Sequence, residues 1–152
     1  MIESLLTASI SIGILVSFLF SMIVGIYPGG IIVPGYIALY MDQPLNIVVT
    51  FGISLFTYIV VRYFSNITII YGRRKTAITI LFGFLFGYLF DILVYTNYIV
   101  EKDISGLDVI GYIIPGLIAS SMNSYGIVTT LSSIITCSVI VKLLLIMLGV
   151  EL

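Results

Sequence analysis

The sequence predicts an all-α, polytopic membrane protein. It should have about four transmembrane helices plus two re-entrant half-helices, each carrying a Pro-Gly pair, within an internal duplication. Composition is the first of three observations behind this expectation. Of 152 residues 61% are apolar and 9% charged, and the mean hydropathy is +1.28, so there are too few charges to cover a water-soluble surface. Continuity is the second. No charge falls between Glu3 and Asp42, between Gln43 and Val61, or between Val109 and Val141. Runs of roughly 20 apolar residues are what a hydrocarbon core of about 30 Å asks of a helix, and these lack the period-2 alternation of an outer-membrane barrel. The third is a repeated phrase: Gly30 to Met41 reads GIIVPGYIALYM and, 81 positions on, Gly111 to Met122 reads GYIIPGLIASSM.

The spans follow in order. The first, about 4–26, starts after Met-Ile-Glu-Ser with no basic region and no small-residue cleavage site, and reads as a retained helix rather than a signal peptide. Spans at about 44–64 and 76–97 flank Tyr71-Gly-Arg-Arg-Lys75, and a span at about 125–150 comes last. One repeated segment lies between spans one and two, the other between spans three and four. They share Gly30/Gly111, Ile32/Ile113, Pro34/Pro115, Gly35/Gly116, Ile37/Ile118, Ala38/Ala119 and Met41/Met122. Arg62 stands 28 residues past Pro34, and Lys142 stands 27 past Pro115. The chain therefore reads as a single membrane domain, 1–152, duplicated as repeat 1, about 4–64, and repeat 2, about 76–150.

A proline removes a backbone donor and pushes the residue before it, Val33 or Ile114, toward extended geometry. Each copy should be extended up to its proline and helical after it, with Pro34 and Pro115 at the first helical position. The helical parts, about 34–41 and 115–122, are too short to span by roughly twofold. They read as re-entrant, with a fully spanning broken helix as the alternative. Irregular backbone at membrane depth is tolerated only inside protein or against a wet cavity, which brings both segments to the centre. Val33 and Ile114 offer no capping oxygen, so the amides of Gly35, Tyr36, Gly116 and Leu117 seek an acceptor at a positive helix end, an arrangement that suits carboxylates. Two readings stay open. Neighbouring carbonyls satisfy these amides and Pro-Gly allows close packing, or Pro34, Gly35, Tyr36, Pro115, Gly116 and Leu117 line a ligand path.

Arg62, Arg73, Arg74 and Lys75 cluster about one connection, whereas the 98–108 loop carries Glu101, Asp103 and Asp108 against Lys102. Basic excess marks the cytoplasmic side, so with four spans both termini are expected in the cytoplasm. Lys142 would snorkel to the inner interface. Arg73, Arg74 and Lys75 are a topology signal, and they also suit docking a cytoplasmic partner or gathering an anion. Asp91, about 24 Å along its helix from Lys75, reads either as a partly solvated structural acid or as a proton or cation site. Gly83 and Gly87 form a small-xxx-small packing pair. Ser54, Thr57, Ser132, Ser133 and Thr136 should bond to carbonyls of their own or a neighbouring helix.

With no His and a single Cys, Cys137 in an apolar run, the sequence excludes zinc sites, His-based triads and intrachain disulfides. It has no basic face for nucleic acid and no Gly-x-x-x-x-Gly-Lys-Ser/Thr phosphate loop. No nucleophile stands beside a plausible base. Neither a catalytic residue, nor a metal, nor a cofactor is expected in this chain.

Pro28-Gly-Gly-Ile-Ile-Val-Pro-Gly-Tyr-Ile-Ala-Leu39, Tyr71-Gly-Arg-Arg-Lys75 and Gly111-Tyr-Ile-Ile-Pro-Gly-Leu-Ile-Ala119, in that order and in a chain of this length, closely resemble the CapC/PgsC family. These are small membrane subunits of bacterial poly-γ-glutamate synthases, and the resemblance covers nearly the whole chain. It implies a non-catalytic subunit, in the bacterial cytoplasmic membrane, of a complex that makes and exports poly-γ-glutamate for capsule or release. The implied partners are a cytoplasmic CapB/PgsB-type amide ligase, which uses ATP and a divalent metal, and a CapA/PgsA-type subunit with its main domain outside. Joined to the residue reading, this predicts that Arg73, Arg74 and Lys75 dock the ligase or gather the nascent polyanion, while the half-helices pass it through lipid it could not otherwise cross. Because few basic residues are available to line a path, several copies or the partner subunits would build it together, and an oligomer is expected. The alternatives are a non-conducting anchor that recruits and stabilises the ligase, and a stand-alone transporter built from repeats.

Overall fold

A computed structural model describes residues 2–67, 72–97 and 110–149. All regular structure among them is helical: α1 (Ile2–Val24), α2 (Val33–Leu39) continued by a 3-10 turn (Tyr40–Asp42), α3 (Pro44–Ile67), α4 (Arg73–Asn97), α5 (Ile114–Tyr125) and α6 (Ile127–Met147). Four of these, α1, α3, α4 and α6, are long and apolar enough to cross a membrane, and they coincide with the four expected spans to within a few residues. The 98–108 loop lies outside the described residues. The chain forms two compact units, Met1–Asp42 with Ser121–Leu152, and Gln43–Ser120.

In the first unit α1 carries a small residue every fourth position, and Ser9, Gly13 and Ser17 are all buried. Gly35 of α2 fits this stripe. A Cβ on Gly13 would lie 2.6 Å from the Gly35 Cα and 2.8 Å from its N, and one on Gly35 would lie 2.8 Å from the Ser9 carbonyl oxygen. Ser9 Oγ donates to the Gly35 carbonyl at 2.8 Å. Helix N–H groups point toward the N-terminus and carbonyls toward the C-terminus, so α2, with Gly13 on its N-terminal side and Ser9 on its C-terminal side, runs antiparallel to α1. Alongside α6 it runs parallel: a Cβ on Gly29 would meet Ile134 Cδ1 at 2.7 Å, and further on Asp42 Oδ1 accepts a 2.7 Å bond from Lys142 Nζ.

From Gly29 to Asp42 the chain thus advances in one direction, toward the start of α1 and the end of α6. It does not turn back, so the re-entrant expectation gives way to its alternative, a broken helix. Residues 25–32, which add their length ahead of α2, are not helical by pattern but bend at Gly25 and again over 28–32, with Gly25, Gly29 and Gly30 at φ +76°, +68° and +103°. Val16, Ala38, Cys137, Val141 and Leu145 form the core of this unit, with Cys137 serving as a small apolar residue.

In the second unit α3 and α4 lie antiparallel, since Phe64 stacks on Phe82 at 5.8 Å while the earlier Phe56 meets the later Phe86 at 5.1 Å. α5 starts against α4 through glycine again. A Cβ on Gly83 would overlap the Gly116 backbone, and one on Gly116 would lie 2.7 Å from Ile80 Cα. Tyr112 meets Phe84 and Tyr88 edge-on, so the chain passes down α4 toward Arg73. The Ile110 amide donates to Thr50 Oγ1 at 3.2 Å.

Burial recurs along the chain. Buried Ser9, Gly13 and Ser17 of α1 correspond, 70 positions on, to buried Thr79, Gly83 and Gly87 of α4. Val33, Pro34, Gly35, Ile37 and Ala38 correspond to Ile114, Pro115, Gly116, Ile118 and Ala119 at 81. Thr50, Ile53, Ser54, Thr57, Tyr58 and Val61 of α3 correspond to Thr130, Ser133, Ile134, Cys137, Ser138 and Val141 of α6 at 80. Yet α6, not α3, completes the unit of α1 and α2, and α3 packs with α4.

Candidate functional site

The half-helices begin one residue earlier than expected, at Val33 and Ile114, and Ile32 before the first is already helical at φ −92°, ψ −30°. Pro34 is tolerated there because the first-turn amides have no intrahelical partner to lose. No side chain caps α2. An amide in the first turn of each half-helix finds the chain's own carbonyl instead: in α2 Tyr36 N–H bonds to the Ile32 oxygen at 3.3 Å, and in α5 Leu117 N–H bonds to the Ile113 oxygen at 3.1 Å. Pro34, Gly35, Pro115 and Gly116 are buried, and Tyr36 and Leu117 are half-buried. The glycines sit where helix backbones come closest, as small residues do in membranes.

A second cluster of sequence candidates falls at the end of the α3–α4 pair where α3 finishes and α4 begins. Gly72, with φ +67°, turns the chain into α4, and its carbonyl accepts the Lys75 amide at 3.1 Å. Arg73 and Arg74 are exposed and Lys75 is half-buried. Arg62, exposed near the end of α3, bonds through Nη1 to Tyr58 Oη, with its guanidinium 5.8 Å from the Tyr58 ring centre, a cation–π distance. Three cations in the first turn of α4, which holds no acid, oppose the helix dipole by about 0.3–1 kcal/mol each. Their presence is therefore not a matter of helix stability. With no acid beside them among the described residues, they make an end that attracts anions.

The remaining candidates lie elsewhere. Lys142 pairs with Asp42, two-thirds exposed. Half-buried Asp91 has a buried Oδ1 with no hydrogen-bond partner among the described residues. The five candidate hydroxyls of the spans bond back to their own helices, Ser54 to Thr50, Thr57 to Ile53, Ser132 and Ser133 to Thr129, and Thr136 to Ser132. A groove of about 480 Å³ between α3 and α4 is lined by Val49, Gly52, Phe56, Phe86 and Phe90 among others; its apolar wall suits no polyanion. Sequence reasoning missed Ser9, Gly13, Thr50 and the Asp42–Lys142 pair. The four-residue spacing of Ser9, Gly13 and Ser17 was a readable signal for the first two; an exposed ion pair 100 positions apart has none.

The sequence profile described as capsule biosynthesis CapC matches residues 12–131. The chain is 37% identical over 139 residues to the PGA biosynthesis protein CapC of Bacillus subtilis (strain 168), covering 91% of each chain. It is likewise 37% identical over 139 residues to the capsule biosynthesis protein CapC of Bacillus anthracis, again covering 91% of each. No solved structure matches.

Proposed function

Since the chain belongs to the CapC family of capsule-biosynthesis proteins, we propose that it is an integral-membrane subunit of a poly-γ-glutamate synthase in a bacterial cytoplasmic membrane. In this reading it performs no chemistry of its own. A CapB/PgsB-type ligase, holding ATP and a divalent metal, makes the amide bonds, and a CapA/PgsA-type subunit completes the complex outside. Arg73, Arg74 and Lys75 hold the ligase or collect the growing polyanion, and several copies, or the partner subunits, guide the polymer past Tyr36 and Leu117. The recurrence of burial at 70, 81 and 80 positions supports duplication of one three-helix unit as the origin of the fold.

The observation that carries this reading is the run of three cations at a helix end where they oppose the dipole and meet no acid among the described residues. Replacing Arg73, Arg74 and Lys75 together by Gln should release the ligase from membranes and lower polymer yield. Unchanged recruitment and yield would remove the docking role. The buried packing of Pro34, Gly35, Pro115 and Gly116 favours a second reading, a non-conducting anchor. Tyr36→Trp and Leu117→Trp separate the two, because both positions are half-buried. A conduit then retains polymer inside the cell; an anchor still delivers it outside at the normal rate.

A further inference from the structure

We infer that the start of α1 and the end of α6 face away from the cytoplasm and that the Arg73–Lys75 end of the α3–α4 pair is the surface this chain offers to a cytoplasmic partner. The inference starts within the first unit. α2 runs antiparallel to α1 and parallel to α6, and its far end is tied to α6 by the Asp42–Lys142 pair. Gly35 lies beside Ser9. The seven residues from Gly35 to Asp42 then climb about as far as the seven from Ser9 back to Ile2, some 10 Å at helical rise. The start of α1, Asp42 and the end of α6 therefore share one membrane face.

Connectivity carries the assignment on. Pro44 follows Asp42 by two residues, so α3 starts from that same face, and its 24 residues reach about 36 Å, enough to cross. α4 is antiparallel to α3, so Arg73 stands on the opposite face and Asn97 on the first. Counting the two broken segments, the chain crosses six times. That number keeps the termini together, as four crossings did, but moves them to the face opposite Arg73.

Charge then fixes which face is which. Arg62, Arg73, Arg74 and Lys75 belong to one face, where no described acid accompanies them. The other face receives Glu3 and Asp42 with Lys142, and the sequence after Asn97 holds Glu101, Asp103 and Asp108 against Lys102, so the basic residues are the fewer there. Basic excess stays in the cytoplasm. The cytoplasmic termini expected from four crossings are thereby reversed, and the copies of the repeat start from opposite faces. A cytoplasmic partner meets the basic end, which fits an acidic surface, while the start of α1 and the end of α6 face a subunit outside.

The sidedness does not rest on the proposed function and is tested without ligase or polymer. In a Cys137→Ala background, single Cys substitutions at Leu148, Tyr27 and Arg74 are treated with a membrane-impermeant maleimide, on cells stripped of their wall and again after permeabilisation. The expected result is labelling of Leu148→Cys in intact cells and of Tyr27→Cys and Arg74→Cys only after permeabilisation. Leu148→Cys and Arg74→Cys labelling from the same side would overturn the six-crossing path. Opposite sides with Arg74→Cys outside would overturn the charge assignment. A reporter fused after Leu152, active only outside the cytoplasm, gives a second measurement independent of the cysteines; silence from it, with signal from a reporter active only inside, counts against the inference.

Discussion

Gly13→Ala tests whether the glycine contact holds the first unit together. The added methyl would stand 2.6 Å from Gly35 Cα and 2.8 Å from Gly35 N, both backbone atoms that no rotamer change can remove. Carbon atoms rest at about 3.5–4.0 Å, so α1 and α2 must part by about 1 Å. Such overpacking costs about 1–3 kcal/mol, and alanine's better helix propensity offsets up to about 1 kcal/mol of it. A net loss of about 1–2 kcal/mol raises the open population by a factor of about 5–30. The molecule carries its own reporter, because Cys137 is fully buried in the same core. In purified protein held in lipid bicelles, the rate at which Cys137 reacts with a thiol reagent should rise by that factor. Gly52→Ala is the control, since its methyl meets nothing within 4 Å, and should leave the rate unchanged or lower it. Gly13→Ala/Gly35→Ala should cost less than the sum of its parts, the first methyl having already parted the helices. Wild-type reactivity in both single variants would refute the close approach.

Ser9→Ala removes the 2.8 Å bond to the Gly35 carbonyl and should cost about 0.5–1.5 kcal/mol, read as faster Cys137 labelling; an unchanged rate would discount the bond. Thr50→Val takes the acceptor from the Ile110 amide and should destabilise by about 1–3 kcal/mol, with hydrogen exchange accelerated at Ile110; continued protection there would show another acceptor at work. The Asp42–Lys142 pair is largely exposed on the aspartate side, so Asp42→Asn should cost no more than about 1 kcal/mol. The exchange Asp42→Lys/Lys142→Asp should recover it, and no recovery would mean that the two side chains do not meet.

The four spans were readable because a long uncharged run leaves a chain no other place to fold than lipid, and the Pro-Gly pairs marked the breaks to within a residue. Direction was harder to read. Whether the chain at Gly35 turns back or continues depends on which side of that glycine Ser9 and Gly13 occupy, and no spacing rule states it. The small residues of α1 were visible at positions 9, 13 and 17, yet only Gly83 and Gly87 stood out, because Ser is common in spans and Gly pairs are less so. Most of the basic cluster was readable as a cluster, since Arg73, Arg74 and Lys75 are adjacent in the chain. Its opposition to the α4 dipole was not, because the helix start at Arg73 depends on the turn at Gly72. The expected extended geometry before each proline failed for a simple reason: a helix can admit proline at its second residue as well as its first.

The assignment of α6 to the unit of α1 and α2 has a consequence for how the protein is made. Residues 43–120 form a continuous stretch and can close as soon as they leave the ribosome. The first 42 residues cannot, because the face of α1 and α2 that receives Val141 and Leu145 stays without its partner until about 100 further residues have been synthesised, roughly 5–20 s at bacterial elongation rates. During that interval Ser9, Gly13 and Gly35 can hold α1 to α2 but nothing seals the pair. A chain truncated before α6 would be inserted and yet half-built, so proteolytic surveillance of the membrane has a natural mark by which to tell finished subunits from unfinished ones.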